Sequence, residues 1–151
     1  MTAPGNGLAT IVGILDREAA VRFGYLFGSR GKGRPREDSD WDIAVWTGGR
    51  DRADNLDLRL RLMADLGEAL AGGQVDLVVL DEAPTLLRYE VLRTGVPASC
   101  KDLGARVEFF VRTMKRYFDE QPMRRMYATA LRRRLLNGEA PWSTGKSPRA
   151  A

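Results

Sequence analysis

Three aspartates, Asp40, Asp42 and Asp76, are the residues of this sequence whose types and positions are best suited to chemistry. Asp40 and Asp42 alternate with apolar residues over 40–46, and a strand places residues two apart on the same face. Asp76 is the one polar residue of the apolar run 75–80, where an unpaired carboxylate is costly to bury. Converging carboxylates are hard oxygen ligands, suited to Mg²⁺ or Mn²⁺ shared with substrate phosphates.

A turn of small residues precedes the first two aspartates. Gly28 and Ser29 follow the aromatic-rich run 23–27, which predicts a strand that stops at the glycine. Glycine permits an unusual backbone conformation and close approach of a ligand, and the N–H groups that follow can point at an anion. The sequence therefore predicts a site for a nucleoside triphosphate, with backbone and hydroxyl donors at one end and metal-binding carboxylates at the other.

Each of these residues taken alone also has an ordinary structural explanation, but the explanations together are less favoured than a shared site. Asp40 and Asp42 alone fit a solvated strand face, and Asp76 alone fits a strand edge or a salt bridge. A Walker A loop is excluded because Arg34 follows Gly33 where that motif requires lysine. For the flanking Trp41 and Trp46, core packing is favoured over base stacking.

Composition narrows the function classes. The 151 residues fit one domain, with 44% apolar and 29% charged residues. The sequence contains no histidine. Zinc hydrolases, Ser-His-Asp triads and Cys-His nucleophile pairs therefore lack their usual base or ligand. The single cysteine, Cys100, allows no internal disulfide, so a reducing cytoplasm is expected. We expect no secretion signal in 1–7 and no membrane-spanning segment.

The net charge of +4 is compatible with binding to an anionic partner. It is equally compatible with an ordinary arginine-rich surface that has no binding role. Lys32, Arg34 and Arg36 either steer ATP or a partner, or are solvated loop residues. The arginines at 124–125 and 132–134 fit nucleic acid, a solvated helix face or an acidic protein surface. Direct nucleic-acid binding is the less favoured of these alternatives.

Periodicity predicts the elements that position the aspartates. Apolar residues at helical spacing predict a helix over 8–20 that ends near Arg22, and Asp54 is a candidate cap for a later helix. We expect Pro122 to interrupt the C-terminal helical region, and residues 1–7 to form a loose lead-in. The further predicted elements are strands at 23–27, 40–46, 75–80 and about 98–100, and helices at 53–71, 84–94, 103–118 and 123–136.

The motif as a whole resembles the polymerase-β-type nucleotidyltransferase superfamily. Residues 27–30 and 38–45 match its start and end closely. The short length, together with segments 75–80 and 88–95, resembles the minimal nucleotidyltransferase (MNT) antitoxins of HEPN/MNT toxin–antitoxin pairs. The residues that carry the superfamily spacing are Gly28, Ser29, Asp40, Asp42 and Asp76.

This resemblance implies an α/β (α+β) fold, with a small mixed sheet flanked by helices and further helices at about 103–136. It covers about residues 8–136. A single nucleotidyltransferase domain is therefore expected over 1–136, followed by a flexible tail over 137–151.

The resemblance also implies transfer of AMP from ATP to a hydroxyl. Asp40 and Asp42 would hold two Mg²⁺ ions, and Asp76 would complete one metal site and help to deprotonate the acceptor. Gly28 and Ser29 would hold the β- and γ-phosphates, and Arg30 would add a charge-assisted contact. In the antitoxin branch the acceptor is a tyrosine of the HEPN ribonuclease toxin, which AMPylation silences.

Two alternative functions remain open from the sequence. The protein could neutralise its partner by stoichiometric binding without catalysis. It could also modify a small molecule such as an aminoglycoside, although only residues 103–136 are available for extra substrate binding. A templated polymerase is disfavoured, because no separate DNA-binding domain fits in the chain.

Overall fold

The computed structural model describes residues 4–33 and 39–139. Arg34 and Arg36 of the basic loop, and most of the predicted tail, lie outside the described residues. In chain order the elements are α1 (Pro4–Arg17), β1 (Phe23–Phe27), α2 (Gly28–Gly31), β2 (Trp41–Trp46), α3 (Arg52–Ala69), β3 (Val75–Val79), α4 (Thr85–Thr94), β4 (Val96–Cys100) and α5 (Leu103–Leu136).

The strands form one four-stranded mixed sheet in the order β3-β2-β1-β4. Strand β1 is antiparallel to both of its neighbours. Strands β2 and β3 are parallel, as a pair of strands joined through the crossover helix α3 must be. The expected small mixed sheet flanked by helices is confirmed.

Both faces of the sheet bury apolar side chains, which supplies the main driving force for folding. Helices α1 and α3 cover one face, where Ile43 and Val45 of β2 are fully buried. Helix α4 and the start of α5 pack on the other face, which includes Ala44. The alternation of Ile43, Ala44 and Val45 between the two clusters confirms the predicted period-two strand.

Several element ends differ from the prediction. Helix α1 begins at Pro4 and ends at Arg17, whereas the sequence predicted a helix over 8–20 that ends near Arg22. The cap of α3 is Asp51, whose carboxylate accepts a hydrogen bond from the backbone N–H of Arg52 at 2.8 Å. The predicted cap, Asp54, instead lies within the first turn of α3.

The run 75–80 was expected to form a buried strand, and this is wrong. Strand β3 is an edge strand of the sheet, and its side chains alternate between buried and partly exposed positions. The side chain of Asp76 is 58% exposed. An apolar run of this length does not distinguish a central strand from an edge strand that packs one face on a helix.

The predicted break at Pro122 is also wrong, since α5 runs through it. Glu120 pairs with Arg116 at 3.0 Å and with Arg124 at 3.3 Å, so its two ion pairs bracket the proline. Such pairs contribute about 0.3–0.5 kcal/mol each, whereas an internal proline costs about 3 kcal/mol. The proline is therefore a weak point of a continuous helix.

The chain forms two compact units, Met1–Met114 and Lys115–Ala151. The first unit ends within α5, and a single nucleotidyltransferase domain over 1–136 stays a prediction. All three candidate aspartates lie in this first unit. None of the helices in the described part of the chain has the length and apolar content needed to cross a membrane.

Two glycines of α1 should respond oppositely to alanine. A Cβ on Gly7 would lie against the ring of Trp41, well inside the 3.0 Å limit of real Cβ contacts. A Cβ on Gly13 would meet only the flexible end of Arg17, at 3.8 Å. We expect Gly13→Ala to stabilise the protein by about 0.5–1 kcal/mol through helix propensity, and Gly7→Ala to destabilise it by about 1–3 kcal/mol through overpacking.

Urea unfolding followed by circular dichroism measures both changes. Equal stabilisation by the two substitutions would show that α1 does not pack on Trp41 as described.

Candidate active site

The parallel pairing of β2 and β3 sets two of the candidate carboxylates side by side. Asp42 and Asp76 are partners in the register of the two strands, so their side chains leave the same face of the sheet. Asp40 lies just before β2, two residues ahead of Asp42, and shares this orientation. Asp42 is half-buried, whereas Asp40 and Asp76 are exposed.

Gly28 approaches the carboxylate of Asp42 from the neighbouring strand. Its predecessor, Phe27, is the register partner of Asp42 across β1 and β2. The backbone of Gly28 has φ +68°, and a Cβ there would overlap Oδ2 of Asp42. No residue with a side chain fits this position unless the carboxylate moves. Ser29 follows directly in α2.

The charges of the three aspartates interact. Burial raises the pKa of Asp42, and the negative charges of Asp76 and then Asp40 raise it further. Each neighbour therefore makes the ionised form of Asp42 less favourable. A bound cation would relieve this repulsion, and the donor set of carboxylate oxygens is the one that Mg²⁺ prefers.

The third carboxylate also has a basic partner. Asp76 pairs with Arg59 of α3, with an Nη2 to Oδ1 distance of 3.8 Å. Across residues 4–33 and 39–139, no three acidic or thiol side chains are grouped closely enough to hold a metal ion. The donor chemistry thus fits a divalent cation held by Asp40 and Asp42, with Asp76 beside them and paired to Arg59.

Arg30 makes contacts that sequence reasoning missed. Its Nε and Nη2 donate hydrogen bonds to the backbone carbonyl of Ser39 at 2.9 and 2.8 Å. Its guanidinium also lies 3.9 Å from the ring centroid of Trp41. These contacts join the turn after β1 to the start of β2 and so hold Gly28 near Asp42. No local pattern in the sequence indicates such a pairing across nine positions.

The two tryptophans beside the carboxylates pack as predicted. Trp41 is only 8% exposed and belongs to the apolar cluster under α1 and α3. Trp46 stacks on Phe23, with ring centroids 5.2 Å apart. Both rings are therefore engaged in packing within the protein.

A buried polar cluster fixes the opposite ends of β2 and β3. The carboxylate of Asp81 accepts hydrogen bonds from the backbone N–H groups of Thr47 and Gly49, at 2.9 and 2.6 Å. Asn55, which is 1% exposed, lies 3.1 Å from the hydroxyl of Thr47. Satisfied polar groups of this kind specify a single arrangement. Here they secure the register that aligns Asp42 with Asp76.

Comparison with known proteins agrees with this geometry. The family model for the polymerase beta nucleotidyltransferase domain matches residues 9–103, which include every candidate site residue. No curated protein matches the chain significantly.

Solved toxin–antitoxin complexes contain chains of similar structure. One is the complex of a tri-AMPylated Shewanella oneidensis HEPN toxin with an MNT antitoxin, where the match has 27% identity and a TM-score of 0.66 and covers 85% of this chain and 98% of that chain. Another is a toxin–antitoxin complex with AMP-PNP, where the match has 28% identity and a TM-score of 0.66 and covers 83% and 95%.

A third similar chain belongs to the MntA–HepT toxin–antitoxin complex, with 27% identity, a TM-score of 0.65 and coverage of 83% of this chain and 97% of that chain. The match to the family model extends over more than half of the sequence, and the sheet places Gly28, Asp42 and Asp76 together. The chain therefore belongs to the polymerase beta nucleotidyltransferase family.

Proposed function

We propose that this protein transfers AMP from ATP to a tyrosine hydroxyl of a HEPN-type toxin and thereby neutralises the toxin. The observation that carries the proposal is the close approach of Gly28 to Asp42, beside Asp76 on the next strand. The similarity to antitoxin chains in complexes with a tri-AMPylated toxin and with AMP-PNP supports the choice of nucleotide and partner.

In this proposal Asp40 and Asp42 hold Mg²⁺, with two ions expected, and Asp76 contributes once it has left Arg59. The bound cation supplies Lewis-acid chemistry, because it neutralises charge on the phosphate oxygens of the transition state. Burial and the neighbouring negative charges raise the pKa of Asp42, and a bound cation would favour its ionised form.

The turn after β1 binds the remainder of the triphosphate. Gly28 and Ser29 hold the β- and γ-phosphates through backbone N–H groups and the serine hydroxyl. Because Gly28 has no side chain, the backbone and the phosphates can approach each other closely. Arg30 holds this turn against Ser39, and its direct contact with a phosphate stays a prediction.

The chemical step is an in-line displacement at the α-phosphorus. The tyrosine oxygen forms a bond to that phosphorus, and the bond from phosphorus to the bridging oxygen of the β-phosphate breaks. Pyrophosphate leaves with the bonding electron pair. The phenolic proton passes to Asp76, and AMP remains on the tyrosine as a phosphodiester.

One observation favours a second function, neutralisation by stoichiometric binding alone. Asp76 is engaged with Arg59, and the described residues offer no ready cage of three carboxylates. A protein that only binds its partner has no need to break this ion pair. Activity of the Asp42 variant separates the two functions.

The test is transfer of label from ATP to a HEPN-type toxin, in the presence of Mg²⁺. We expect Asp42→Asn to reduce the rate more than about 100-fold, since even groups that merely support a metal ligand cost 10–100-fold when removed. Asp57→Asn, which removes an exposed carboxylate of α3, should retain the wild-type rate. No label with the wild-type protein, or full protection from the toxin by Asp42→Asn, would contradict enzymatic neutralisation.

Gly28→Ala should abolish transfer although it removes no polar group. The new Cβ would displace the carboxylate of Asp42. Removal of a group that orients a metal ligand lowers activity about 10–100-fold, and we expect kcat to fall by at least this factor. Gly72→Ala is the matched control, because Gly72 also has positive φ (+78°) and a Cβ there meets nothing within 4 Å. Similar activities for the two variants would show that Gly28 serves only the turn.

Asp42→Asn should also raise the melting temperature of the metal-free protein at pH 7. The pKa of Asp42 is raised in the folded state, so its ionisation opposes folding at pH values above the folded pKa. The difference between variant and wild type should vanish below the ordinary pKa of 3.8, where the group is protonated in both states. Differential scanning calorimetry across pH 3 to 8 measures this, with Asp57→Asn as the control.

Mg²⁺ should raise the melting temperature of the wild-type protein more than that of Asp42→Asn. Equal melting temperatures for variant and wild type at pH 7 without metal would show that the three carboxylates do not repel one another.

A further inference from the structure

The distal half of α5, residues 115–136, displays large apolar side chains that the AMP-transfer site does not use. No side chain of this segment is buried. Helices of this size are marginal in water unless an apolar face is packed, and exposed apolar patches mark interaction sites. The large exposed side chains include Phe118, Met123, Met126, Tyr127, Leu131 and Leu135.

One side of the segment has a defined shape. Phe118, Pro122 and Met126 follow one another at i, i+4 spacing and form an apolar ridge. Arg125 and Arg133 lie on an adjacent ridge, and both ridges line a shallow concave surface. We call this the distal α5 surface. Its pattern, an apolar centre beside arginines, is that of protein interfaces, where aromatic residues, Met and Arg are enriched.

The segment is strongly basic. Residues 115–136 contain seven Lys or Arg and two Asp or Glu, so their net charge of +5 exceeds the +4 of the whole chain. Arg116 and Arg124 pair with Glu120. Arg125, by contrast, has no carboxylate within 4 Å in the described part of the chain, and the same holds for Arg132 and Arg133. These three guanidinium groups are available to an external acid.

We propose that the distal α5 surface docks a partner protein whose apolar groove is bordered by Asp and Glu side chains. A second copy is disfavoured, because it would oppose two segments of charge +5. A membrane surface is disfavoured because helices that lie in it separate their apolar and basic faces, whereas here Arg133 lies between Pro122 and Met126 around the helix. Nucleic acid offers no apolar groove for Phe118 and Met126.

This inference rests on the proposed function only for the identity of the partner, a HEPN-type protein. Docking at the distal α5 surface supplies binding energy that does not depend on AMP transfer. It would keep the partner bound while its tyrosine is modified at Asp42.

The test measures the Kd between the full-length chain and a HEPN-type toxin that it labels or protects against, by calorimetry without nucleotide. We expect Met126→Ser and Arg133→Glu each to weaken binding by about 10-fold or more, as loss of central interface residues does. Met126 is 73% exposed, so its replacement should leave the fold intact. The matched controls on α3, Leu60→Ser and Arg52→Glu, should change the Kd less than about 2-fold.

Wild-type affinity in both distal variants would overturn the proposal. So would a wild-type dimer that Met126→Ser dissociates in the ultracentrifuge, or binding to phosphatidylserine vesicles or single-stranded RNA that the same variants abolish. Label transfer in parallel samples separates the two hypotheses. Labelling by the wild type with unchanged binding of the variants rejects docking alone, whereas weakened binding of the variants without any labelling rejects AMP transfer alone.

Discussion

The parallel pairing of β2 with β3 is the constraint on which the candidate site depends. It aligns Asp42 with Asp76 and so places like charges on neighbouring strands. Burial raises the pKa of Asp42, and the charge of Asp76 raises it further. The fold holds this unfavourable arrangement by other means. Apolar packing of α3 covers one face of the two strands, and hydrogen bonds to Asp81 secure their far ends.

The other half of the site comes from the turn after β1, at the start of α2. Gly28 touches the carboxylate of Asp42 only because it lacks a side chain. Arg30 then keeps the turn in place by holding the carbonyl of Ser39. Gly28 leaves space beside the carboxylate of Asp42, Arg30 holds the turn in place, and the pairing of β2 with β3 brings the negative charges together. Substrate phosphates with their cation are the ligand that we propose for this arrangement.

The sequence predicted the parts of this site that follow from local periodicity. Alternation over 40–46 placed Asp40 and Asp42 on one face, and the intervening helix made β2 and β3 neighbours. Contacts between distant residues were beyond such reasoning, because they depend on side-chain reach in three dimensions. The pairing of Asp76 with Arg59 is one example. The continuous helix through Pro122 is another, since sequence reasoning placed a break there whereas α5 runs through it.

The most direct test of the account is a crystal structure of the protein with a non-hydrolysable ATP analogue and Mn²⁺, whose anomalous signal locates the metal. The account predicts Mn²⁺ bound by Asp40 and Asp42, the triphosphate against Gly28 and Ser29, and Asp76 released from Arg59. A nucleotide bound elsewhere, or a bound nucleotide with no metal at Asp42, would contradict it.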